Sequence, residues 1–169
     1  IGDIQEQMYL TSAKPGKVIW GFGPIFSFPT ATNDALTTGQ FALGADFVVL
    51  TMPGKWVIGA VANQLWRIAG SDNTTAINAF FIQPFINYNF HRGWSISTSP
   101  SITANWNAAS GQEWTVPLGF GVSKVDMIGK QPVNVSLQYY HNVVRPDDGP
   151  ADVVRMVFAL LYPRAHPKS

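Results

Sequence analysis

The chain has 169 residues, of which 46% are hydrophobic and 12% are charged, and its formal net charge is +1. An average soluble domain has about twice that share of charged residues, and a disordered chain would combine low hydrophobicity with high net charge. The lack of a basic excess argues against a nucleic-acid-binding protein. Because cysteine is absent, disulfides, thiol catalysis and cysteine-ligated metals are excluded. The composition is typical of a β-rich membrane protein.

The length fits one domain, 1–169. No run of 18 or more apolar residues occurs, so no transmembrane helix is expected. The sequence starts at Ile1 without a methionine or a signal peptide. We therefore expect a mature form or a fragment.

Alternation of apolar and polar residues predicts nine β-strands. In order they are 2–12, 17–28, 40–52, 55–70, 77–90, 93–106, 113–125, 131–143 and 152–162. About 9–11 residues suffice for a tilted strand to cross a bilayer, whereas soluble strands usually have about five or six. Three of the segments (77–90, 93–106 and 131–143) contain no Asp, Glu, Lys or Arg. The sequence therefore predicts an all-β, antiparallel transmembrane barrel.

Each strand is expected to have two different faces, because side chains on a strand alternate. Small uncharged polar residues, mainly Ser, Thr, Asn and Gln, occupy one face. The other face is apolar, and in a membrane barrel it would contact lipid. The residues predicted to face lipid are Phe80, Ile82, Ile86, Trp94, Ile96, Ile102, Val133, Val135 and Leu137.

The predicted connections alternate between short and long. Those at 14–16, 53–54, 91–92 and 126–130 are the shorter ones, and those at 29–39, 71–76, 107–112 and 144–151 are the longer ones. Outer-membrane barrels have short periplasmic turns and longer external loops. We therefore predict that 53–54 and 91–92 are periplasmic, and that 29–39 and 144–151 are external.

The tryptophans lie near strand ends. Trp94 and Trp106 share a face and are twelve residues apart, which is about 30 Å along the normal for a strand tilted by about 40°. This spacing approximates an apolar band with its two aromatic girdles, although the packed core of a soluble β-protein is an alternative explanation. The predicted membrane-interface aromatics are Trp56, Trp66, Trp94, Trp106, Trp114 and Tyr162.

The charged residues Asp46, Arg67 and Arg155 lie within predicted strands. They are predicted to point inward, because a charge facing lipid at mid-depth costs about 2–4 kcal/mol. They either form a pairing network that plugs a narrow lumen or line a channel and set its selectivity. The lumen-lining candidates are Asp46, Arg67, Phe81, Gln83, Phe85, Asn87, Asn134, Gln138, Tyr140 and Arg155.

Motifs for catalysis or metal binding are lacking. His91, His141 and His166 do not have metal-ligand spacing, and no Ser–His–Asp arrangement can be argued. The sequence 147–149, Asp-Asp-Gly, lacks the remaining ligands of a calcium loop. We expect no catalytic residue, no cofactor and no metal, and hence not an enzyme.

An ordered set of short motifs rich in Gly, Pro, Trp and Asn runs along nearly the whole chain. They are Gly21-Phe22-Gly23-Pro24, Pro29-Thr30-Ala31-Thr32, Gln83-Pro84-Phe85-Ile86-Asn87-Tyr88-Asn89, Gly93-Trp94, Ala104-Asn105-Trp106, Trp114-Thr115-Val116-Pro117-Leu118-Gly119, Gly129-Lys130-Gln131-Pro132-Val133-Asn134 and Leu160-Leu161-Tyr162-Pro163. This set resembles a family of bacterial outer-membrane barrels named for the MetA pathway of phenol degradation, which are transporter-like. The resemblance implies a barrel in the outer membrane and implies little about function.

Nine strands conflict with the even number that is normal for a bacterial barrel. Either the chain is the C-terminal part of a barrel of about twelve strands, or 2–12 is not a strand and 17–162 closes as an eight-stranded barrel. Glu6 lies on the apolar face of 2–12, which argues against this segment being a barrel strand.

We expect a passive, porin-like channel for small, hydrophobic or aromatic solutes. The alternatives are a structural or partner-binding barrel with a filled lumen, a barrel enzyme acting on lipids, and a soluble lipocalin-like carrier. The expected partners are outer-membrane lipid and lipopolysaccharide, a small-molecule solute, and a protein partner or a second copy of the chain.

Overall fold

The computed structural model describes residues 2–14, 16–32, 37, 39–71, 75–129 and 131–162. Eleven strands form one antiparallel sheet, which confirms the all-β prediction. The strands are β1 (Ile4–Gln7), β2 (Leu10–Thr11), β3 (Val18–Phe28), β4 (Gln40–Thr51), β5 (Trp56–Gly70), β6 (Asn78–Asn89), β7 (Trp94–Thr98), β8 (Ile102–Asn105), β9 (Trp114–Ile128), β10 (Gln131–Val144) and β11 (Asp152–Leu160). A 3-10 turn, His91–Gly93, joins β6 to β7.

Strands adjacent in sequence are adjacent in the sheet, and they occupy nine positions. β1 and β2 share one position beside β3, with Ile4 opposite Phe28 and Leu10 opposite Phe22. Segment 2–12 is therefore part of the sheet, and the eight-stranded alternative was wrong to leave it out. β9 extends to Ile128, three residues beyond its predicted end. The parts of the predicted connections, strands and motifs that fall on 15, 33–36, 38, 72–74, 130 and 163–169, including Pro163 and His166, lie outside the described residues.

The predicted strand 93–106 is interrupted at 99–101, between β7 and β8. By the register of the flanking pairs, Pro84 of β6 lies opposite Pro100. Proline has no N–H to donate to a sheet ladder, so two facing prolines remove ladder bonds from both strands. The Gln83 side chain compensates by donating to the Ser99 carbonyl at 3.2 Å and to Ser101 Oγ at 2.9 Å.

The two faces of the sheet differ as the alternation predicts. On the apolar face many large side chains are exposed, with Phe120 63% and Met156 76% accessible, whereas only six hydrophobic residues are buried in the described part of the chain. Val133, which was predicted to face lipid, is one of the six, at 2% exposure. Buried polar residues include Gln40, Asp46 and Asn142. This distribution is the reverse of the one in a water-soluble sheet protein, which buries its apolar face.

The sheet is strongly curved. Gln5 and Gln7 of β1 line the same cavity as Thr115 of β9, although six strand spacings separate these strands. In a flat sheet they would lie about 29 Å apart. Within the described ranges no backbone pairing joins β11 to β1 or β2, so the sheet is a curled, open meander. No helix among the described residues is long and apolar enough to span a membrane.

Candidate functional site: the polar face and its cavity

The polar face is defined here as the sheet face that carries Asp46 and its cross-strand neighbours Gly23 and Asn63. Strand register places every predicted lumen candidate on this face, including Arg67, which pairs with Ala42 next to the register shift between Phe41 and Ala42. The candidates on it are Asp46, Arg67, Phe81, Gln83, Phe85, Asn87, Asn134, Gln138, Tyr140 and Arg155.

A cavity of about 740 Å³ lies over this face, toward the longer connections. Of the predicted candidates, only Phe81 lines it. Its polar lining residues are Gln5, Gln7, Asn63, Thr103, Asn105, Gln112, Glu113, Thr115, Asp147 and Asp148. Sequence reasoning missed these residues. Strand parity could have identified Asn63, but the loop residues carry no periodic signal.

Two of the longer connections are joined at the edge of the cavity. Gln112 donates through Nε2 to Asp147 Oδ2 at 3.2 Å, and Asp147 donates its backbone N–H to Gln112 Oε1 at 2.7 Å. Glu113 accepts from the Gly111 backbone N–H at 2.9 Å. The paired bonds hold the 106–113 and 145–151 connections together, and carboxylates are the charged groups among the cavity's lining residues.

One buried carboxylate lies on the polar face beside Asn63 and is not among the residues that line this cavity. Asp46 is 2% exposed, and its Oδ2 accepts from Tyr9 Oη at 2.7 Å, while its Oδ1 has no hydrogen-bond partner in the described structure. Gly23 lies on the intervening strand, and a Cβ there would be 1.9 Å from the Met8 carbonyl oxygen. Glycine therefore permits the close approach that lets Tyr9 reach across to Asp46.

A second tyrosine reaches across a glycine in the same way. The Tyr140 hydroxyl accepts from the Ser99 backbone N–H at 2.9 Å, although β9 lies between them. Gly119 of β9 is the residue paired with Tyr140, and a Cβ there would be 1.9 Å from the Tyr139 carbonyl oxygen. Aromatic side chains that cover strand glycines stabilise sheets.

Arg155 lies beside this second tyrosine, and among the described residues it has no ion-pair partner. Its guanidinium carbon is 5.8 Å from the centre of the Tyr140 ring, and its Nη1 donates to Gln138 Oε1 at 3.4 Å. The side-chain ion pairs seen in the described part are Lys124–Asp126 and His141–Asp152. The predicted pairing of inward charges therefore does not involve Arg155 or Asp46 there.

The remaining candidates fill space or bond locally. The Phe85 ring occupies the space beside Gly59, where a Cβ would be 2.5 Å from Phe85 Cζ. Asn87 donates to Asn89 Oδ1 at 2.9 Å. Asn134 keeps a buried Oδ1 without a partner in the described structure.

The predicted interface aromatics are on the apolar face near strand ends. At the end with shorter connections, the Trp56 and Tyr88 rings lie 4.6 Å apart and Lys124 Nζ is 5.6 Å from the Trp94 ring. At the other end Trp106 and Trp114 are 5.4 Å apart, and Trp66 is 48% exposed.

Tyr162, which was predicted to be an interface aromatic, and Trp20, which was not, are both exposed. Tyr162 follows the end of β11 and is 76% exposed. Trp20, which the sequence analysis left out, is 42% exposed and stacks on Phe22 at 6.1 Å.

The described residues contain no group of three or more His, Asp or Glu that could hold a metal ion. His141 Nδ1 contacts Asp152 Oδ1 at 2.9 Å, and His91 Nε2 contacts Lys55 Nζ at 3.1 Å. Neither contact presents a base to a serine hydroxyl, as a serine nucleophile activated by histidine would require. The polar face instead offers amides, hydroxyls and carboxylates for hydrogen bonding to a solute.

Comparison with protein-family models, curated proteins and solved structures finds no match for this chain. The resemblance to the phenol-degradation barrel family therefore stays a prediction.

Proposed function

We propose that the chain forms the wall of a transmembrane β-barrel in a bacterial outer membrane and acts as a passive channel for small solutes. The observation that carries the proposal is the reversed burial of the sheet. Side chains such as Leu118, Phe120, Val154 and Phe158 are 58–68% exposed on the apolar face. The exposure of apolar surface to water costs about 25 cal/mol of free energy per Å², whereas lipid chains solvate such a surface without this cost.

The aromatic spacing supports a bilayer as the surrounding solvent. Trp56 and Trp66 lie at the two ends of the apolar face of β5, ten residues apart. That separation is about 33 Å along the strand, or about 25 Å along the normal at the usual tilt. The apolar band of an outer-membrane barrel is about 25 Å tall.

Insertion also requires that the free edges of the sheet be paired, because unpaired backbone groups are excluded from lipid. The first and ninth positions of an antiparallel meander run in the same direction, so antiparallel closure needs an odd number of further strands. A barrel of about twelve strands meets this condition, and we favour it over closure of the described strands alone.

The cavity of about 740 Å³ favours a channel over a filled scaffold. The amide and carboxylate groups that line the cavity would form hydrogen bonds with a passing solute, and Phe81 adds an apolar contact for aromatic solutes. A structural barrel is the second candidate, because Tyr140, Arg155 and Ser99 are packed together on the β7–β11 side of the polar face.

Reconstitution of the complete chain in phosphatidylcholine vesicles tests both parts of the proposal. We expect the protein to float with the vesicles after alkaline washing and to allow a small neutral solute to enter, as measured by vesicle swelling. Flotation without swelling would favour the filled scaffold. A protein that stays soluble and monodisperse without detergent would contradict the membrane assignment.

A further inference from the structure

The charges of the described chain are distributed unequally between the two ends of the sheet. Around the shorter connections lie the basic residues Lys14, Lys17, Lys55, Arg92 and Lys124, with Asp126 as the acidic residue beside them. Around the longer connections lie the acidic residues Asp3, Glu6, Glu113, Asp147, Asp148 and Asp152, with the basic residues Arg67 and Arg145. The basic end is therefore suited to an anionic surface.

An apolar groove of about 410 Å³ opens on the apolar face next to this basic end. Its walls are Trp56, Tyr88 and Phe90 on one side and Phe120 on the other. Thr98, at the end of β7, is among the lining residues and is smaller than Ile86, with which it pairs. Its hydroxyl is turned to the Gly119 carbonyl at 2.7 Å and so presents no polar group to the groove.

Basic residues lie close to the end of the groove that leads to the short connections, outside its apolar lining. The Asn89 backbone N–H donates to the Lys55 carbonyl at 2.9 Å, and Lys55 Nζ lies 3.1 Å from Nε2 of His91, the residue after Phe90 of the groove. Arg92 lies in the 3-10 turn two residues after Phe90. Lys124 Nζ lies over Trp94 and also binds Asp126 at 2.5 Å, so its charge is partly neutralised.

From this juxtaposition, we propose that the groove is a binding site for one anionic phospholipid. An acyl chain lies between Tyr88 and Phe120, and the headgroup phosphate lies among Lys55, Arg92 and Lys124. The inference rests on the proposed membrane function, because the groove would otherwise face water. Charge complementarity selects a lipid with net negative charge over a zwitterionic one.

Native mass spectrometry of the detergent-solubilised protein, with phosphatidylglycerol and phosphatidylcholine at equal concentration, tests the proposal. The wild-type chain should retain phosphatidylglycerol preferentially. The triple variant Lys55→Gln, Arg92→Gln, Lys124→Gln should reduce that preference by at least about fivefold, the ratio expected from the loss of one interfacial charge. The pair Lys14→Gln, Lys17→Gln, at the same end but away from the groove, should keep it.

A second variant tests the acyl-chain part of the site. Thr98→Phe fills the groove, so retention of both lipids should fall while the protein still floats with vesicles. Equal retention of the two lipids by wild type, or an equal loss in the Lys14/Lys17 control, would overturn the site while leaving insertion intact. Failure of the wild-type chain to float with vesicles would instead overturn the proposed function.

Discussion

Tyr140 and Ser99 are hydrogen-bonded across a strand that separates them, with the tyrosine hydroxyl 2.9 Å from the Ser99 backbone nitrogen. The bond supplies an acceptor where the strand is interrupted at 99–101, opposite Pro84. Tyr140 is only 2% exposed, and its ring reaches across β9 at Gly119. Ser99, where the strand is interrupted, and Tyr140, which supplies the hydrogen-bond acceptor, are thus forty-one positions apart in the sequence.

Replacing Tyr140 with Phe removes this acceptor and leaves the Ser99 N–H unpaired. We expect the free energy of unfolding to fall by about 1–3 kcal/mol, measured by urea titration in detergent micelles. Tyr139→Phe is the matched control, because that hydroxyl bonds Asp152 on the exposed apolar face. The control should lose no more than about 1 kcal/mol. Equal losses in the two variants would contradict a special role for Tyr140.

Gly119 is expected to tolerate no side chain. In Gly119→Ala the new Cβ would be 1.9 Å from the Tyr139 carbonyl oxygen, a backbone atom that cannot move without disturbing the β9–β10 pairing. We predict a loss of about 1–3 kcal/mol or more, seen as a lower melting temperature in micelles. Gly16→Ala, where the nearest atom is 3.8 Å away, should melt like the wild type. An unchanged melting temperature for Gly119→Ala would show that the two strands can separate at no measurable cost.

Arg155 should influence ion selectivity if the polar face lines a conducting path. Removing its charge with Arg155→Gln should shift selectivity toward cations in planar-bilayer recordings, because a fixed charge in a narrow, low-dielectric pore acts strongly on passing ions. Lys17→Gln, at the exposed end of β3, should change selectivity less. A folded Arg155→Gln protein with unchanged selectivity would place Arg155 outside the conducting path.

The orientation in the membrane can be read from single cysteines, since the chain has none. Asp148→Cys, in a connection predicted to be external, should react with an impermeant maleimide added to intact cells. Pro53→Cys in the short connection should react only after the outer membrane is permeabilised. We choose Pro53 because the adjacent Gly54 has a φ of 63°, a conformation that strains other residues. Labelling of position 53 alone in intact cells would reverse the predicted orientation.

Alternation in the sequence was sufficient to predict the nine strand positions, their two faces and the sequence of short and long connections. These properties are local, because a strand's side chains alternate with a period of two whatever its neighbours are. The placement of Arg155 and Gln138 on the same face as Asp46 followed from parity alone.

Contacts between strands were decided only by the tertiary structure. Parity does not reveal that Pro84 faces Pro100, that Tyr9 reaches Asp46 across Gly23, or that Gln5 shares a cavity with Thr115. Each of these relationships depends on the register between strands and on the curvature of the sheet. Register and curvature are set by backbone hydrogen bonds between residues that are distant in sequence and by the close approaches that glycines allow.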